Sequence, residues 1–396
     1  MKISVLGQGY VGLPLSLLAA SAGYYVFGID SNRQKIKALK EGKGLIEDID
    51  DKELSEALKS GHFLPTSDSI HIQDSNIVIV CVPTPLNKER KPDLSYLVNA
   101  TSEIGRNLKP GTLVIFESTI EPGTTRNVLL PILIKESGLK VSDFDLAFSP
   151  ERVDPTNKNW NIENTPKIVS GLTEKSVNRA KKFYDSFIKS THICSSLEVA
   201  ETAKLLENSF RLVNISLINE ISIYCHKIGI SVSEVIDAAA SKPYGFMPFY
   251  PSLGAGGHCI PVDPVYLSNA ASREGISTSL IDLAVEINLK MSDYFVARAA
   301  EMIGGLKKKR ILVIGVAYKP NISDVRDTPA ESLISKLVNA GAKVFWHDNL
   351  VREWNGGKSV PLTSDFDLAI LCTPHDYLNL KKIANVPLLN TRGSTK

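Results

Sequence analysis

The sequence predicts an α/β chain: two Rossmann-like doubly wound domains joined by a central all-helical region. Three observations predict it. A strand, a glycine-rich loop, a helix, a second strand and an acid open the chain in that order. The same grammar returns near the C-terminal end, in "KRILVIGVAYKP" and "AKVFWHD". Between the two, apolar residues keep helical spacing for roughly thirty positions, beyond ordinary helix lengths. The expected domains are 1–196, 197–305 and 306–396. A chain of 396 residues fits two or three domains at the usual ~150 residues each.

In the first unit, Ile3 to Leu6 are a short apolar strand, followed by "GQGYVG" from Gly7 to Gly12 and a helical pattern to Ala22. "YYVFGID" is a strand ending at Asp30, 23 positions after Gly7. Gly7 allows the tight turn, Gly9 lets a pyrophosphate approach the backbone, and Gly12 permits close helix–strand packing. The helix start then offers free N–H groups and its dipole to phosphates. Asp30 accepts ribose hydroxyls and repels a 2′-phosphate, so NAD is favoured over NADP, although Arg33 and Lys35 nearby weaken the preference. A glycine turn of some other α/β fold is the plain alternative, and the flanking strand, helix and acid weigh against it.

"NIVIVCVPTP", "GTLVIFEST" and "DLAFSPE" read as further buried parallel strands. Thr84, Ser118, Thr119 and Glu151 fall at their carboxyl ends, where doubly wound sheets bind ligands. Each alone is explained as a cap; four at the glycine-loop edge favour a site. The C-terminal repeat has Ala317 and Pro320 in place of the second and third glycines, so it is not expected to bind a dinucleotide in the same way. "DLAILCTPHD" echoes "NIVIVCVPTP", and Cys81 and Cys372 read as small hydrophobes buried in strands.

Hydrophobic residues make up 43% and charged residues 22%, which excludes a disordered chain. The formal charge of +2 gives no overall field for nucleic acid or an anionic membrane. No apolar run approaches the ~20 residues of a membrane span. Five cysteines without a C-x-x-C pair suit a reducing cytoplasm better than a disulfide scaffold. Met1, Lys2 and the stretch ending "LLAASAG" imitate a signal peptide, but Gly7, Gly9, Gly12 and Pro14 interrupt its apolar core.

In the central region, Lys204, Asn208 and Arg211 lie at i, i+4 and i+7, one polar stripe on an otherwise apolar helix. The helix is expected to be enclosed, and a buried Lys and Arg then need partners or a ligand. A second helical pattern runs from Thr278 to Ile303. The chemical centre is "YPSLGAGGHCIPVDP". Cys259 follows three glycines, stands beside His258 and precedes Asp263 by four residues. A deprotonated thiol is a strong nucleophile, a nearby Lys204 favours thiolate or alkoxide, and Asp263 has the chemistry of a general base. Cysteine is also a common core residue, and His258 reads equally as structural or as a metal ligand. With seven histidines and no H-x-x-x-H or paired Cys/His set, no metal centre is expected. NAD beside a nucleophilic cysteine suggests oxidation through an aldehyde to an acid, by way of a thiohemiacetal and a thioester.

With "GQGYVGLP", "VPTP", "ESTIEPGTT", "SPER", "ETAKLLENSFRLVNISLINE", "GAGGHCIPVDP", "GVAYKPNISDVRDTP" and "NTRG" in this order, the chain resembles the UDP-glucose/GDP-mannose dehydrogenase family over essentially its whole length. The resemblance implies an NAD domain, a dimerising helical middle, a UDP-sugar domain, and two successive oxidations of a sugar C6 alcohol to a carboxylate. It implies Cys259 as nucleophile, Lys204 and Asn208 holding the C6 oxygen and the oxyanion, and Asp263 as water-positioner or base. Thr119 and Glu151 would help activate the hydrolytic water. The implied cofactor contacts are Gly7, Gly9, Tyr10, Val11, Gly12, Asp30, Lys35, Thr84, Ser118 and Arg326. The implied substrate contacts are Arg211, Tyr250, Gly256, His258, Lys319 and Arg392. Arg211, His258 and "KPYGFMPFYP" resemble the branch acting on UDP-N-acetylglucosamine for polysaccharide precursors, with the UDP-N-acetylmannosamine and UDP-glucose enzymes as alternatives. "PSLG" at Pro251 to Gly254, Pro155 and Thr156 depart from the usual pattern.

Overall fold

The computed structural model describes residues 1–44, 46, 49–154, 157 and 159–393, so the departures at Pro155 and Thr156 lie outside the described residues. The chain divides into two compact units, Met1–Leu206 and Glu207–Lys396.

The first unit is a doubly wound sheet. Its strands are β1 (Lys2–Leu6), β2 (Tyr25–Ile29), β3 (Phe63–Thr66), β4 (Ile77–Val80), β5 (Leu113–Phe116), β6 (Asp145–Phe148), β7 (Lys167–Gly171) and β8 (Thr191–Ile193). Their order is β3-β2-β1-β4-β5-β6-β7-β8. All neighbours are parallel except β6 and β7, which pair antiparallel through Ala147–Gly171 and Phe148–Ser170. The helices are α1 (Gly12–Ser21), α2 (Arg33–Lys40), α3 (Asp51–Lys59), α4 (Ser95–Asn107), α5 (Leu130–Ser137) and α6 (Glu174–Tyr184). Strand residues point alternately to the two faces. Ile77 and Ile79 join Leu13, Leu17 and Phe183 on one side, while Val78 and Val80 join Leu97, Ile104 and Phe116 on the other. Both faces are therefore covered, which is why these strands are apolar throughout. Asn32 starts α2 by accepting the N–H groups of Gln34 and Lys35, and left-handed Gly138 ends α5.

The helix α7 (Leu197–Lys227) runs through the boundary between the units. The second unit continues with α8 (Val232–Ala240), α9 (Asp263–Arg273) and α10 (Ser279–Ile303). It ends in a parallel sheet of β9 (Arg310–Ile314), β10 (Lys343–His347), β13 (Leu368–Leu371) and β14 (Leu388–Asn390), ordered β10-β9-β13-β14. Between them lie α11 (Pro329–Asn339), capped by Thr328, and a small hairpin of β11 (Glu353–Trp354) and β12 (Gly357–Lys358). Met291, Phe295 and Ala299 of α10 pack with Ile311, Val313, Leu333 and Leu337 in one core.

Two expectations need correction. Cys81 and Cys372 stand just beyond the ends of β4 and β13 rather than within them. The helix α7 is not enclosed: Leu206, Phe210, Leu217 and Tyr224 are exposed, and so is Arg211. Periodicity locates apolar residues but not what covers them, and an arginine near a helix face readily keeps its charged head in water.

Candidate functional site

The glycine loop of the first unit is built as its spacing suggests. Gly7 has φ 92°, and a Cβ there would stand 2.5 Å from the Cys81 carbonyl oxygen. A Cβ on Gly12 would strike the Gly7 carbonyl, so the third glycine lets α1 begin directly against the turn. At Gly9 nothing lies within 4 Å of the Cβ position, so the backbone there is open to an approaching group. Gln8 donates its N–H to Asp30 Oδ2 at 2.9 Å, and Asn32 donates to Oδ1 at 2.9 Å. Lys35 Nζ pairs with the same carboxylate at 2.6 Å, which places this predicted cofactor residue on Asp30 itself. A turn with open backbone, a helix start and an acid at the second strand end fit a dinucleotide. Tyr10 and Val11 lie partly exposed in the turn, and Thr84 is partly buried beyond β4. Ser118, beyond β5, is buried and donates to the Val82 carbonyl at 2.7 Å.

Glu151 and Thr119 follow β6 and β5. Glu151 Oε1 accepts the N–H groups of Arg152 and Val153 at 2.6 and 2.5 Å. Its Oε2 faces Lys167 Nζ at 3.2 Å. Burial disfavours the Glu151 anion. The Lys167 charge, the Val153 N–H and the Lys204 charge together outweigh burial and hold the carboxyl below its ordinary value. Lys204 is itself buried.

In the second unit, Asn208 Nδ2 donates to Asp263 Oδ2 at 2.6 Å, and both side chains are buried. Asp263 is the first residue of α9, and the Cys259 carbonyl accepts its N–H at 2.9 Å. That tight turn leaves Cys259 exposed. The loop before it is gripped by residues that sequence reasoning missed. Asn288 of α10 accepts from Ala255 N–H at 2.6 Å and donates to the Ala255 carbonyl at 3.1 Å, and Asn219 accepts from Ser252 N–H at 2.9 Å. Both asparagines stand more than thirty positions from the loop segments they hold, so only their place on apolar helices could have flagged them.

The glycines after Asn288's hold also have a steric reason. A Cβ on Gly256 would stand 2.6 Å from Pro329 Cδ, and one on Gly257 would stand 2.7 Å from the Tyr318 ring. The loop before Cys259 thus packs on the segment that carries Lys319 and Arg326. Arg326 is forked onto Asp324, with Nε at 2.9 and 3.0 Å from its two oxygens. His258 Nδ1 lies 3.6 Å from Asp327, and its buried Nε2 has no hydrogen-bond partner. Burial and then the Arg326 charge push the His258 pKa down, so the ring is neutral at pH 7. Arg392 is exposed, beside Gly393, whose Cβ position lies 2.8 Å from Pro251 Cγ. Tyr250 is exposed on the adjoining loop. The second unit therefore carries Tyr250, Gly256, His258, Cys259, Asp263, Asn208, Lys319, Arg326 and Arg392, with Asn208 brought onto Asp263, while Arg211 remains an exposed residue of α7.

Comparison with known proteins gives a consistent pattern. The NAD binding domain of the UDP-glucose/GDP-mannose dehydrogenase family matches residues 1–188, its central domain 198–290 and its UDP binding domain 312–392. A UDP-N-acetyl-D-glucosamine 6-dehydrogenase of Pseudomonas aeruginosa is 37% identical over 87% of this chain and 82% of its own length. A UDP-N-acetyl-D-mannosamine dehydrogenase of Pyrococcus horikoshii is 38% identical over 89% of this chain and 84% of its own. Among solved structures, a UDP-D-ManNAc dehydrogenase of Pyrococcus horikoshii superposes with a TM-score of 0.92 at 34% identity, covering 100% of this chain and 96% of that one. The UDP-N-acetyl-mannosamine dehydrogenase Cap5O of Staphylococcus aureus gives 0.86 at 29% identity, covering 99% and 94%.

Proposed function

The chain belongs to the UDP-glucose/GDP-mannose dehydrogenase family and is an NAD-dependent nucleotide-sugar dehydrogenase, and from that premise we propose that it oxidises the C6 hydroxyl of UDP-N-acetylglucosamine to the uronic acid, a polysaccharide precursor. The observation that carries the four-electron reading is Cys259, exposed on a turn whose next helix begins at buried Asp263, with Asn208 bonded to that acid.

When bound, NAD takes up a hydride in each of two oxidations. Gly7, Gly9, Tyr10, Val11, Gly12, Asp30, Thr84 and Ser118 would hold it, with Lys35 setting the Asp30 carboxylate. Lys204 and Asn208 donate to the C6 oxygen as it gains negative charge. The Cys259 sulfur adds to the aldehyde carbon, forming a thiohemiacetal, and the second oxidation leaves a thioester. Water then adds to the thioester carbon, held by Thr119 and Glu151 with Asp263 as base or water-positioner. Lys319 and Arg392 meet the diphosphate, for which fixed cations are the suitable chemistry. Arg326 stands on the cofactor side. His258, Gly256, Tyr250 and Arg211 shape the sugar pocket. The working division is 1–196 for NAD, 197–305 for the nucleophile and 306–396 for UDP-sugar.

The reading includes a homodimer in the cytoplasm. Val199, Leu206, Phe210, Leu217 and Tyr224 form an exposed row of apolar side chains along α7, which a second copy would cover. A monomer by light scattering at micromolar concentration rejects the dimer. No helix among the described residues is long and apolar enough to cross a membrane.

The sugar is tested by counting NADH per mole of UDP-N-acetylglucosamine, UDP-N-acetylmannosamine and UDP-glucose side by side. Two NADH with the first alone is expected. Two NADH with another sugar instead keeps Cys259 in its role and overturns Arg211 and "KPYGFMPFYP" as the selector.

A further inference from the structure

A buried lysine of the first unit stands between two acids. Lys167 opens β7, the strand whose far end pairs antiparallel with β6, and is 4% exposed. Its Nζ lies 2.8 Å from Glu117 Oε2 and 3.2 Å from Glu151 Oε2. Glu117 is buried as well and also accepts a hydrogen bond from the buried Tyr184 hydroxyl. Two carboxylates thus share one cation, and only the Glu151 side chain keeps measurable exposure, at 13%.

We propose that Lys167 is a positioning residue for the hydrolytic half of the reaction: its bridge from Glu117 fixes the Glu151 carboxylate, with Oε1 committed to two backbone N–H groups and Oε2 presented as an anionic acceptor for water. The proposal rests on the role given to Glu151 above.

The physical reason is the cost of like charges in a poorly solvated place. Two buried carboxylates cannot both stay ionised without a cation between them. The groups facing this cluster are Glu117, Glu151, Tyr184, Cys81 and Lys204. Burial raises the Glu117 pKa, so Glu117 takes up a proton more readily than Glu151, which is held below its ordinary value. Burial works against the Lys167 ammonium, but the Glu117 and Glu151 charges overcome it and push its pKa up. Lys167 therefore stays charged across the working range, and the position next to water remains an anion.

In the step concerned, the water oxygen bonds to the thioester carbonyl carbon and the carbon–sulfur bond breaks. The electron pair leaves on the Cys259 sulfur as thiolate. With Asp263 as the water-positioner, one water proton passes to Glu151 Oε2 and from there to solvent or sulfur. The second is lost when the product acid ionises. Neither hydride transfer requires Glu151, so a change at Lys167 has its effect after both.

The test uses the enzyme with NAD and UDP-N-acetylglucosamine under rapid mixing, reading NADH and the intact protein mass. Lys167→Met should give a burst of two NADH per site at the normal rate, then a steady state slowed about 100-fold. The sugar should accumulate as a covalent adduct on Cys259, and the acid limb of the rate profile should move to higher pH. Lys167→Arg should restore turnover. Glu151→Gln should show the same burst, and adding Lys167→Met to it should change nothing further. If burying two uncompensated carboxylates unfolds Lys167→Met, the Glu117→Gln/Lys167→Met pair removes the stranded charge and is read the same way. Wild-type turnover and pH profile in the lysine variant, with a burst in Glu151→Gln, overturn the proposal and leave the reading of Glu151 intact. Equal loss of both half-reactions without an adduct and without rescue by arginine makes Lys167 merely structural and overturns it too. Wild-type turnover in Glu151→Gln overturns the reading itself.

Discussion

The chain contains the same turn twice, once within the stretch that matches the NAD binding domain and once within the stretch that matches the UDP binding domain. Gly7 ends β1 with φ 92° and donates to the Ile29 carbonyl; Gly315 ends β9 with φ 78° and donates to the His347 carbonyl. Gln8 donates to Asp30 Oδ2 at 2.9 Å, and Val316 donates to Asp348 Oδ2 at 2.9 Å. Beyond that the two diverge. The first turn leads straight into α1, with open space over Gly9. The second places buried Ala317 there, and no helix begins until Pro329. Asp30 meets the partly exposed ammonium of Lys35, whereas Asp348 meets the buried ring of His375 at 3.0 Å. His375 Nδ1 accepts the Asn321 N–H, so its Nε2 carries the proton toward Asp348 and the acid is closed off. Glycine turn and strand-end acid are thus a folding device. Open backbone, an immediate helix start and a reachable acid make it a dinucleotide site.

The sharpest way to break this comparison is at Gly9. Gly9→Val puts its side chain where a ligand would lie and where no protein atom lies, so NAD affinity should fall at least about 100-fold, ~2.7 kcal/mol, with little change in melting temperature. Calorimetric titration with NAD and a thermal melt check both halves. The reverse change, Ala317→Gly, should confer no second NAD equivalent.

A smaller and opposite effect is expected at the closed acid. His375→Ala should cost about 1–2 kcal/mol of stability by removing one of the donors to a buried carboxylate, with NAD affinity unchanged. Asp348 carries a pH signature. Burial opposes its ionisation, but the His375 hydrogen bond and the Leu350 and Val316 N–H groups hold its pKa below the ordinary value. Its contribution is therefore present above the unfolded value of about 3.9 and is lost as pH falls through the lower folded value. Denaturant melts of wild type and Asp348→Asn should differ at neutral pH and converge below about pH 4. The smallest expected effect is at the open acid: Asp30→Ser should shift preference toward NADP by about tenfold, read as the ratio of kcat/KM values for the two cofactors.

The comparison also explains what was legible beforehand. Gly7, Gly12 and Asp30 are local, and a glycine forced by φ or a close approach leaves a mark in the sequence. Cys259 and Asp263 are legible because a four-residue spacing is itself the turn. Lys167 and Asn288 were illegible, since a lysine opening a strand and an amide on a helix look ordinary until distant partners are placed. His375 is hidden for the same reason, 27 positions from Asp348. The exposure of Arg211 was illegible because apolar spacing does not show what covers a helix.

The central claim is that Cys259 carries the second oxidation to the acid. Its most direct test is Cys259→Ala assayed for uronate and titrated with NAD. No uronate is expected, with NAD affinity within about threefold of wild type, because the glycine turn and Asp30 belong to the first unit and Cys259 to the second. Uronate at the normal rate from Cys259→Ala would contradict it.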